Sequence, residues 1–440
     1  MSIQGIALKK ILLFAVFAAF SLFSAKEAAR AATLRAGAAK VSITPSADEF
    51  PYTVPKERSF VGVHDDVYVR ALVLEDGPTK AALISIEVVE VPDAQRIVSD
   101  VASAIGVPAS NVLITATHTH STPLVFYHGG EPNPTQTKDI EKIRESAVAA
   151  ATKAASAIQP ARIGFSRGEA WLNINNGEIG EASSRFDSRG PSDKTLDVVR
   201  IEDSAGQPLA LLVDYPTHAE VMFRSVTKDG GYEVTGDIPG AVSSILEGSA
   251  AGAPVTLFLA GDEGDQKPLF QAVQPSVGKL PPEDEGVGSW ALLHAQAYRL
   301  ATAVVDAIAK MPPSSPTVEM KVAAGSVTCP GQRMHSDSQG KMATEDTAPV
   351  TIPLAAIKIN DIALVGIAGD VGSEIGKEIR AASPVSHTVL ITMLAGTVGY
   401  ILSDESYKHP GHIRETRIKP GCAERALPEG IATLLNARSK

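Results

Sequence analysis

Apolar strand-like segments alternate with amphipathic helix-like segments along most of the chain, and this alternation limits the fold more than any other feature of the sequence. Residues 81–91, AALISIEVVEV, predict a buried strand, and residues 93–106, DAQRIVSDVASAIG, predict the helix after it. Residues 111–120 predict another strand, and residues 137–158 predict a long helix whose apolar side chains recur three and four positions apart. Interleaved strands and helices indicate an α/β fold.

Two β-hairpins interrupt this alternation. Residues 196–215 predict a hairpin that turns at residues 204–206, and residues 352–370 predict a second one that turns at Asn360 and Asp361. Hairpins inside an α/β pattern favour a mixed β-sheet core with flanking helices. Three stretches rich in Gly, Ser, Pro and charge are predicted to be long surface loops that frame a site: residues 165–194, 271–288 and 329–349.

The first 31 residues predict a secretory signal peptide. Two lysines precede the apolar run of residues 11–25, and small residues at positions 29–31 provide a cleavage site. The run is shorter than the roughly 20 apolar residues of a membrane-spanning helix, although an uncleaved anchor stays an alternative. We therefore expect one large domain over residues 32–440, secreted or periplasmic, without a transmembrane anchor after cleavage.

The net charge limits the classes of partner that we expect, and the cysteines bear on the redox state of the compartment. The formal net charge is −10, which provides no basic face for nucleic acid and no polybasic patch for a membrane, so the expected partner is a small molecule or a protein. Cys329 and Cys422 are the two cysteines of the sequence. In an oxidising compartment they are candidates for a disulfide, but sequence alone leaves their pairing open.

Two histidines stand one residue apart at the end of the predicted strand 111–120. Because side chains alternate faces along a strand, the imidazoles of His118 and His120 are expected to point the same way. Paired imidazoles are frequent metal ligands, whereas a buried histidine is more often a hydrogen-bonded core residue. The pair makes a metal site a candidate without deciding it.

Other apolar strands also end in polar residues. His218, the loop of residues 261–268, Asp370 and Tyr400 each follow such a strand, and α/β sheets bind their ligands at the carboxyl ends of strands. Imidazole, carboxylate and phenol form a mixed ligand set that suits zinc with room for a water, which zinc can convert into a nucleophile near neutral pH. Alternatively, Asp370 only caps the following helix, and Tyr400 is a core aromatic residue.

Five segments occur in the order in which they occur in the neutral, non-lysosomal ceramidases, and the chain resembles that family and its bacterial ceramidase-like relatives. The resemblance begins at AGAAKVSITP and covers nearly all of the chain after the signal peptide. NVLITATHTHSTP is similar to the T-H-T-H-S-x-P signature of the family and is the most specific match. The other four segments are DYPTHAEVM, GDEGDQKP, ALVGIAGDVGSEIGKEIR and GTVGYILSDESY.

Position by position, the resemblance implies a zinc ion bound by His118, His218, Asp370 and Tyr400. His120 would orient or deprotonate the attacking water, or protonate the leaving amine, and Tyr400 would also stabilise the oxyanion of a tetrahedral intermediate. The implied reaction is hydrolysis of an amide. In ceramidases this amide joins a fatty acid to a sphingoid base.

The chain departs from the family pattern at the residues that handle the substrate. Lys267 stands where the G-D-x-S-P loop of ceramidases has a serine, and its ammonium would pair with an anionic substrate group or reach solvent. Asp262, Glu263 and Asp265 form an acidic loop in which like charges are expected to raise the pKa of one carboxyl, and Asp265 is a candidate general acid. The alternative is a turn whose aspartates accept from their own amides. Asn176 occupies the expected place of a substrate-binding arginine. His64 lies in a segment that resembles a family segment near the pocket, and the alternative is a turn with solvated carboxylates.

Two further departures concern the ligand set and the length of the chain. Asp370 stands where the family has a glutamate, and the chain is expected to lack the immunoglobulin-like domain that follows the catalytic domain in ceramidases. The metal ligands are retained while the substrate residues have changed. We therefore expect a zinc-dependent hydrolase of an N-acyl amide that is ceramide-like or of another kind. An esterase using the same metal site, and a zinc-containing binding protein without turnover, are the alternatives.

Overall fold

The structure is a computed structural model that describes residues 33–54, 57–127, 130–177, 186–228, 230–249, 253–274, 281, 283–336, 342–408 and 416–437. The predicted signal peptide, residues 1–31, lies outside the described residues. Within these ranges the α-helices are α1 to α6: Ala94–Ile105, Pro134–Ser156, Asp237–Ser249, Trp290–Ala309, Ser373–Ala382 and Ala423–Asn436. The strands β1 to β21 are Arg35–Ser42, Phe60–Val63, Tyr68–Asp76, Thr79–Ile86, Val112–Ala116, Gln159–Glu169, Asn173–Asn176, Phe186–Asp187, Thr195–Asp203, Pro208–Asp214, Tyr232–Val234, Val255–Leu259, Gln266–Pro268, Val273–Gln274, Glu283–Asp284, Met320–Ser336, Met342–Ile359, Ile362–Ile367, Asp370–Val371, His387–Ile391 and Tyr400–Ile401.

Two mixed sheets form the centre of the molecule. The larger sheet has the strand order β12-β10-β9-β6-β1-β3-β4-β5, and the smaller one has the order β16-β17-β18-β20. The β4–β5, β10–β12 and β18–β20 pairs are parallel, and the other pairs in these two sheets are antiparallel. This arrangement confirms the predicted α/β fold with a mixed sheet and flanking helices.

The larger sheet curls back on itself. Its edge strand β12 lies against β3 and β4, near the opposite edge, and the hydroxyl of Ser85 on β4 donates to the carbonyl of Phe258 on β12 at 2.7 Å. As a result, the loops that follow β5 and β10 approach each other although these strands are far apart in the strand order. This curl brings the two histidine segments to one place.

Alternating side chains divide the core into layers. On β3, Val69, Ala71 and Val73 pack under α1 and α2, whereas Leu72 and Leu74 face the smaller sheet. The helices α3 and α4 cover the outer face of β9, β10 and β12, and α5 and α6 cover the outer face of the smaller sheet. None of the helices in the described ranges is long and apolar enough to cross a membrane.

The sequence patterns predicted the elements with local periodicity better than the irregular ones. The helices predicted at 93–106 and 137–158 are α1 and α2, and both predicted hairpins are present as β9–β10 and β17–β18. The prediction of a loop at 329–349 is wrong for the described residues, because residues 329–336 and 342–349 belong to the paired strands β16 and β17. Several residues of β17 before Val350 are exposed, so this part of the strand lacks the apolar alternation that would have identified it.

A disulfide joins the smaller sheet to the start of α6. Cys329, buried on β16, is bonded to Cys422, which directly precedes α6, and their Cα atoms lie 5.7 Å apart. The bond closes a loop across 93 positions of sequence. Closing a long loop removes conformational entropy from the unfolded chain.

Replacing both cysteines by alanine is expected to lower the free energy of unfolding by about 2 to 4 kcal/mol. Urea unfolding of the wild type and of the double variant measures this change. A reductant should shift the wild-type midpoint and leave that of the variant unchanged. Equal midpoints for the two proteins without reductant would contradict the prediction.

Candidate active site

The segments that follow β5 and β10 run side by side at the carboxyl ends of these strands. Thr119 and Ala219 form a parallel β-bridge, and the amide of His120 donates to the carbonyl of Ala219 at 3.0 Å. This pairing places His118 and His120 of the first segment next to His218 of the second. One nitrogen from each of these three rings lies within 4.8 Å of the others.

The backbone at His118 is left-handed, with φ at +61°. β5 ends at Ala116, so His118 and His120 lie after the strand. Strand alternation therefore does not explain the orientation of their rings. The rings nevertheless meet, since the centroids of His118 and His120 are 4.6 Å apart and those of His118 and His218 are 4.8 Å apart. A residue other than glycine in this conformation is uncommon, and such residues concentrate at functional sites.

A short parallel pair of strands adds a carboxylate and a phenol. β19 and β21 pair with Asp370 opposite Tyr400. The Oδ2 atom of Asp370 lies 3.4 Å from Nε2 of His218 and 3.7 Å from Nε2 of His118. The hydroxyl of Tyr400 lies 3.2 Å from Nε2 of His218. The four predicted metal ligands are therefore neighbours.

Gly264 allows the loop after β12 to approach this pair. Its amide donates to the carbonyl of Val371 at 2.8 Å, and a Cβ atom at Gly264 would lie 2.6 Å from the carbonyl oxygen of Asp370. Any side chain at this position would therefore displace the backbone of a candidate ligand.

Backbone carbonyls set the tautomers of two histidines. Nδ1 of His118 donates to the carbonyl of Val89 at 2.7 Å, and Nδ1 of His218 donates to the carbonyls of Glu263 and Gln266 at 2.9 and 3.0 Å. The Nε2 lone pairs of both rings consequently face the cluster. A hydrogen bond from the second ring nitrogen is the usual way in which proteins orient a histidine that binds a metal.

Protonation favours the same role. Burial, with a contribution from the neighbouring His218, lowers the pKa of His118 to about 4, so this imidazole is neutral at physiological pH. Burial acts to raise the pKa of Asp370, but the contact with His218 outweighs it and the pKa is lowered. A neutral imidazole and an ionised carboxylate are the forms in which these groups bind a metal.

The donor set fits a divalent cation. The second carboxylate oxygen of Asp370, Oδ1, is buried without a hydrogen-bond partner in the described part of the chain. Nε2 of His120 lies 3.2 Å from Nε2 of His118, whose lone pair faces the cluster. Unpartnered acceptors at such distances repel one another unless a cation or a shared proton lies among them. Nitrogen and oxygen donors in this number match the ligands of zinc.

Lys267 does not reach solvent. Its side chain is 9% exposed, and its ammonium pairs with Oε2 of Glu220. The other carboxylate oxygen, Oε1, lies 3.3 Å from Nδ1 of His120. Burial acts to raise the pKa of Glu220, but Lys267 and His120 lower it below its usual value. Sequence reasoning missed Glu220. The available signal was its charge, because Glu220 follows a candidate ligand histidine by two positions and is opposite in charge to Lys267.

Asp265 has a structural set of contacts. Its carboxylate accepts hydrogen bonds from the amide and hydroxyl of Ser373, from the Gln266 side chain and from the Asn175 side chain. Since Ser373 begins α5 three residues after Asp370, these bonds fix the segment that carries a candidate ligand. Burial raises the pKa of Asp265 to about 6. A catalytic role for Asp265 stays a prediction.

The raised pKa makes the stability of the protein depend on pH. Between pH about 4 and 6 the folded chain binds more protons at Asp265 than the unfolded chain, so the free energy of unfolding should fall as the pH rises through this window, by about 3 kcal/mol. Denaturant unfolding at several pH values should give a flatter dependence for Asp265→Asn. Asp237, whose pKa burial also raises to about 6, contributes equally to both proteins. Equal slopes would contradict the prediction.

The contacts recorded for the two predicted substrate-binding residues are with residues other than the three clustered histidines. The amide of Asn176 donates to the carbonyl of Asp265 at 2.7 Å, and its side-chain oxygen is buried without a hydrogen-bond partner in the described residues. The ring of His64 stacks on Trp290 with centroids 3.5 Å apart and does not belong to the three-histidine cluster. Their contacts with a substrate stay predictions.

Glu263 is a further buried acid of this region. Neither of its carboxylate oxygens has a hydrogen-bond partner within the described ranges, and its backbone carbonyl accepts from His218. Burial, with the neighbouring Asp370, raises its pKa well above the usual value. The acidic loop thus contains raised pKa values at both Glu263 and Asp265.

The fold and this cluster define an α/β protein with a candidate metal centre at the carboxyl ends of its strands, as in metal-dependent hydrolases. The sequence model described as "Neutral/alkaline non-lysosomal ceramidase, N-terminal" matches residues 36–274, more than half of the chain. The chain belongs to the neutral/alkaline non-lysosomal ceramidase family, a family of hydrolases, and the predicted membership is confirmed. The matched region contains His118, His218 and Lys267, whereas Asp370 and Tyr400 lie after it.

Similar proteins extend this comparison. Neutral ceramidases A and B of Dictyostelium discoideum are 30% and 31% identical to the chain over 177 residues, which cover 36% of this chain and 24% of each relative. The match thus spans about a quarter of the length of these relatives. The neutral ceramidase of Pseudomonas aeruginosa superposes with a TM-score of 0.70 at 16% identity, over 92% of this chain and 74% of that one. A structure described as a ceramidase complexed with C2 also has a TM-score of 0.70 at 16% identity, over 92% and 75% of the chains.

Proposed function

We propose that this chain is a zinc-dependent amidohydrolase that cleaves an N-acyl amide with a metal-activated water. The observation that carries the proposal is the convergence of His118, His218, Asp370 and Tyr400, with two Nε2 lone pairs and a carboxylate oxygen directed at one point. Membership of the ceramidase family supports hydrolysis of an amide.

A bound zinc ion would supply Lewis-acid activation of water and of the amide carbonyl. The chain supplies the remaining functions. His118, His218, Asp370 and Tyr400 would hold the ion, and the Tyr400 hydroxyl would donate to the oxygen that becomes negative as the carbonyl is attacked. His120 accepts the proton of the attacking water at Nε2 and returns it to the leaving amine.

The substrate of this chain need not be ceramide. The curated relatives are named as neutral ceramidases, but Lys267 stands where ceramidases have a serine, and it lies beside His120 through Glu220. We therefore propose an N-acyl amide as the substrate class, with ceramide as one member to be tested.

An extracytoplasmic location fits this proposal. The apolar amino-terminal segment has the pattern of a secretory signal peptide. The Cys329–Cys422 pairing is of the kind that persists in oxidising compartments such as the periplasm or the outside of a cell. We propose that the mature protein is secreted or periplasmic, and fractionation of expressing cells tests this.

Metal analysis combined with a substrate panel tests the function. The chain from Ala32 onward would be purified, its metal content measured by elemental analysis, and its turnover measured with ceramide, N-acyl amino acids, other N-acyl amines and the matching esters. We expect one zinc per chain and amide cleavage that a chelator abolishes and zinc restores. Cleavage of esters alone would identify an esterase, and bound zinc without turnover of any substrate would indicate a binding protein.

His120→Gln should separate catalysis from metal binding. Because His120 contributes to proton transfer and is not one of the four proposed ligands, the variant should retain zinc while kcat falls about 100-fold. Elemental analysis and steady-state kinetics on the same preparation measure the two effects. Loss of zinc together with activity would make His120 a ligand instead.

A further inference from the structure

A buried ion pair lies directly behind His120. The carboxylate of Glu220 accepts from the Lys267 ammonium through Oε2 and lies 3.3 Å from Nδ1 of His120 through Oε1. The side chains of Glu220 and Lys267 are 6% and 9% exposed. Three separate segments of the chain therefore meet at this carboxylate, and each of its oxygens has one cationic or proton-donating neighbour.

The position of Glu220 determines which nitrogen of His120 carries the proton. A carboxylate oxygen next to Nδ1 favours the proton on that atom, which leaves the lone pair on Nε2. Nε2 is the atom directed at the candidate metal centre, 3.2 Å from Nε2 of His118. The ring of Phe223 lies edge-on to His120 with centroids 5.1 Å apart and limits rotation of the imidazole.

Lys267 is placed to act on Glu220. Its ammonium forms an ion pair with a carboxylate that is itself buried, and so its charge is already balanced inside the protein. A carboxylate with only one neighbour would be free to turn away from His120, whereas the ammonium holds its second oxygen. This geometry differs from that of a lysine extended into a pocket to meet an anionic substrate.

We propose that Glu220 and Lys267 are positioning residues: Glu220 holds His120 as the Nδ1–H tautomer with Nε2 directed at the metal centre, and Lys267 fixes Glu220. The inference rests on the proposed hydrolysis and assigns a role to the lysine that occupies the serine position of the family. When His120 takes a proton from water at Nε2, the carboxylate faces the resulting imidazolium. The same proton then leaves for the amine.

A double-mutant cycle tests whether the two residues act as one unit. The variants are Glu220→Gln, Lys267→Met and the double variant, with Lys40→Met as a matched control because Lys40 pairs with Glu247 away from the histidine cluster. Each single variant leaves one buried charge without a partner, which could prevent folding. The double variant removes both charges and so avoids this problem. Each single variant should lower kcat about 10- to 100-fold with little change in KM, and the double variant should lose no more than the worse single variant.

Nitrogen NMR of histidine-labelled protein provides a readout that does not depend on turnover. The His120 signals, assigned with His120→Gln, should show the proton on Nδ1 in the wild type and in Lys40→Met. They should show a tautomer mixture, or the proton on Nε2, in the double variant, with zinc content unchanged in all. This measurement decides the positioning role even if no substrate of the panel is cleaved, a result that would reject the proposed function separately.

Three results would overturn the inference. A rise in KM with unchanged kcat in Lys267→Met would mean that the ammonium binds the substrate directly. Additive losses in the double variant would mean that the two residues act independently. An unchanged His120 tautomer in the double variant would mean that the carboxylate does not orient the ring.

Discussion

Replacing His118 by alanine should remove the bound metal and lower kcat/KM by about 1000-fold or more. His118 supplies one of the two Nε2 atoms that are proposed as metal ligands, and its Nδ1 is engaged with a backbone carbonyl. A metal ion stabilises the transition state by several kcal/mol, and this stabilisation is lost when the ion is lost with its ligand. Each 1.36 kcal/mol corresponds to a tenfold change in rate. Elemental analysis after dialysis and kinetics on the best substrate of the panel measure both effects.

His387→Ala provides the matched control for this variant. His387 begins β20, and its ring stacks on Phe165 with centroids 4.2 Å apart. It lies at the amino end of its strand, opposite to the carboxyl ends that carry the site. This variant should retain metal and activity. If His118→Ala kept its zinc and its turnover, the histidine cluster would be a structural feature of the core and the proposed function would be wrong.

Replacing Lys267 by methionine should lower the free energy of unfolding by about 3 to 5 kcal/mol. The change removes one partner of a buried ion pair and leaves the Glu220 carboxylate without its counter-charge, and an uncompensated buried charge is among the most destabilising changes known in proteins. Methionine has nearly the volume of the lysine stem, so little of the loss comes from packing. Urea or thermal unfolding with bound zinc controlled measures the difference.

The double variant Glu220→Gln/Lys267→Met identifies the origin of that loss. Removing both charges should recover most of the stability, because a buried ion pair contributes little when both partners are replaced together. Lys40→Met, which removes a partly exposed lysine from a pair with Glu247, should cost about 1 kcal/mol or less. Equal destabilisation in the single and double variants would mean that the lysine stem, and not the charge, stabilises this region.

Together these variants separate metal binding from the positioning of His120. The metal ligands are expected to affect zinc content and turnover, whereas Lys267 and Glu220 are expected to affect stability and the orientation of His120. In the ceramidases the corresponding loop carries a serine. This chain has a buried lysine–glutamate pair at this place. Its substrate specificity therefore has to be measured and cannot be inferred from that of the ceramidases.

Much of the local architecture was accessible before the structure was known. The apolar periods of α1 and α2 and the turn residues of the two hairpins predicted these elements, since such patterns depend on neighbours within a few positions. Part of the β16–β17 hairpin was predicted as loop because several residues of β17 before Val350 are exposed and lack apolar alternation. The histidine and carboxylate segments were recognised as a family pattern because their motifs are contiguous in sequence.

The chemistry of the site depends on contacts between distant segments, which no local pattern contains. Curling of the larger sheet brings His218 to His118, and the β19–β21 pair places Asp370 next to Tyr400. The left-handed backbone of His118, not strand alternation, directs its ring. Sequence therefore determined the elements and the family of this protein, through short-range periodicity and contiguous motifs. The tertiary structure alone decided which charges are paired, because pairing and burial arise only when separate segments pack together.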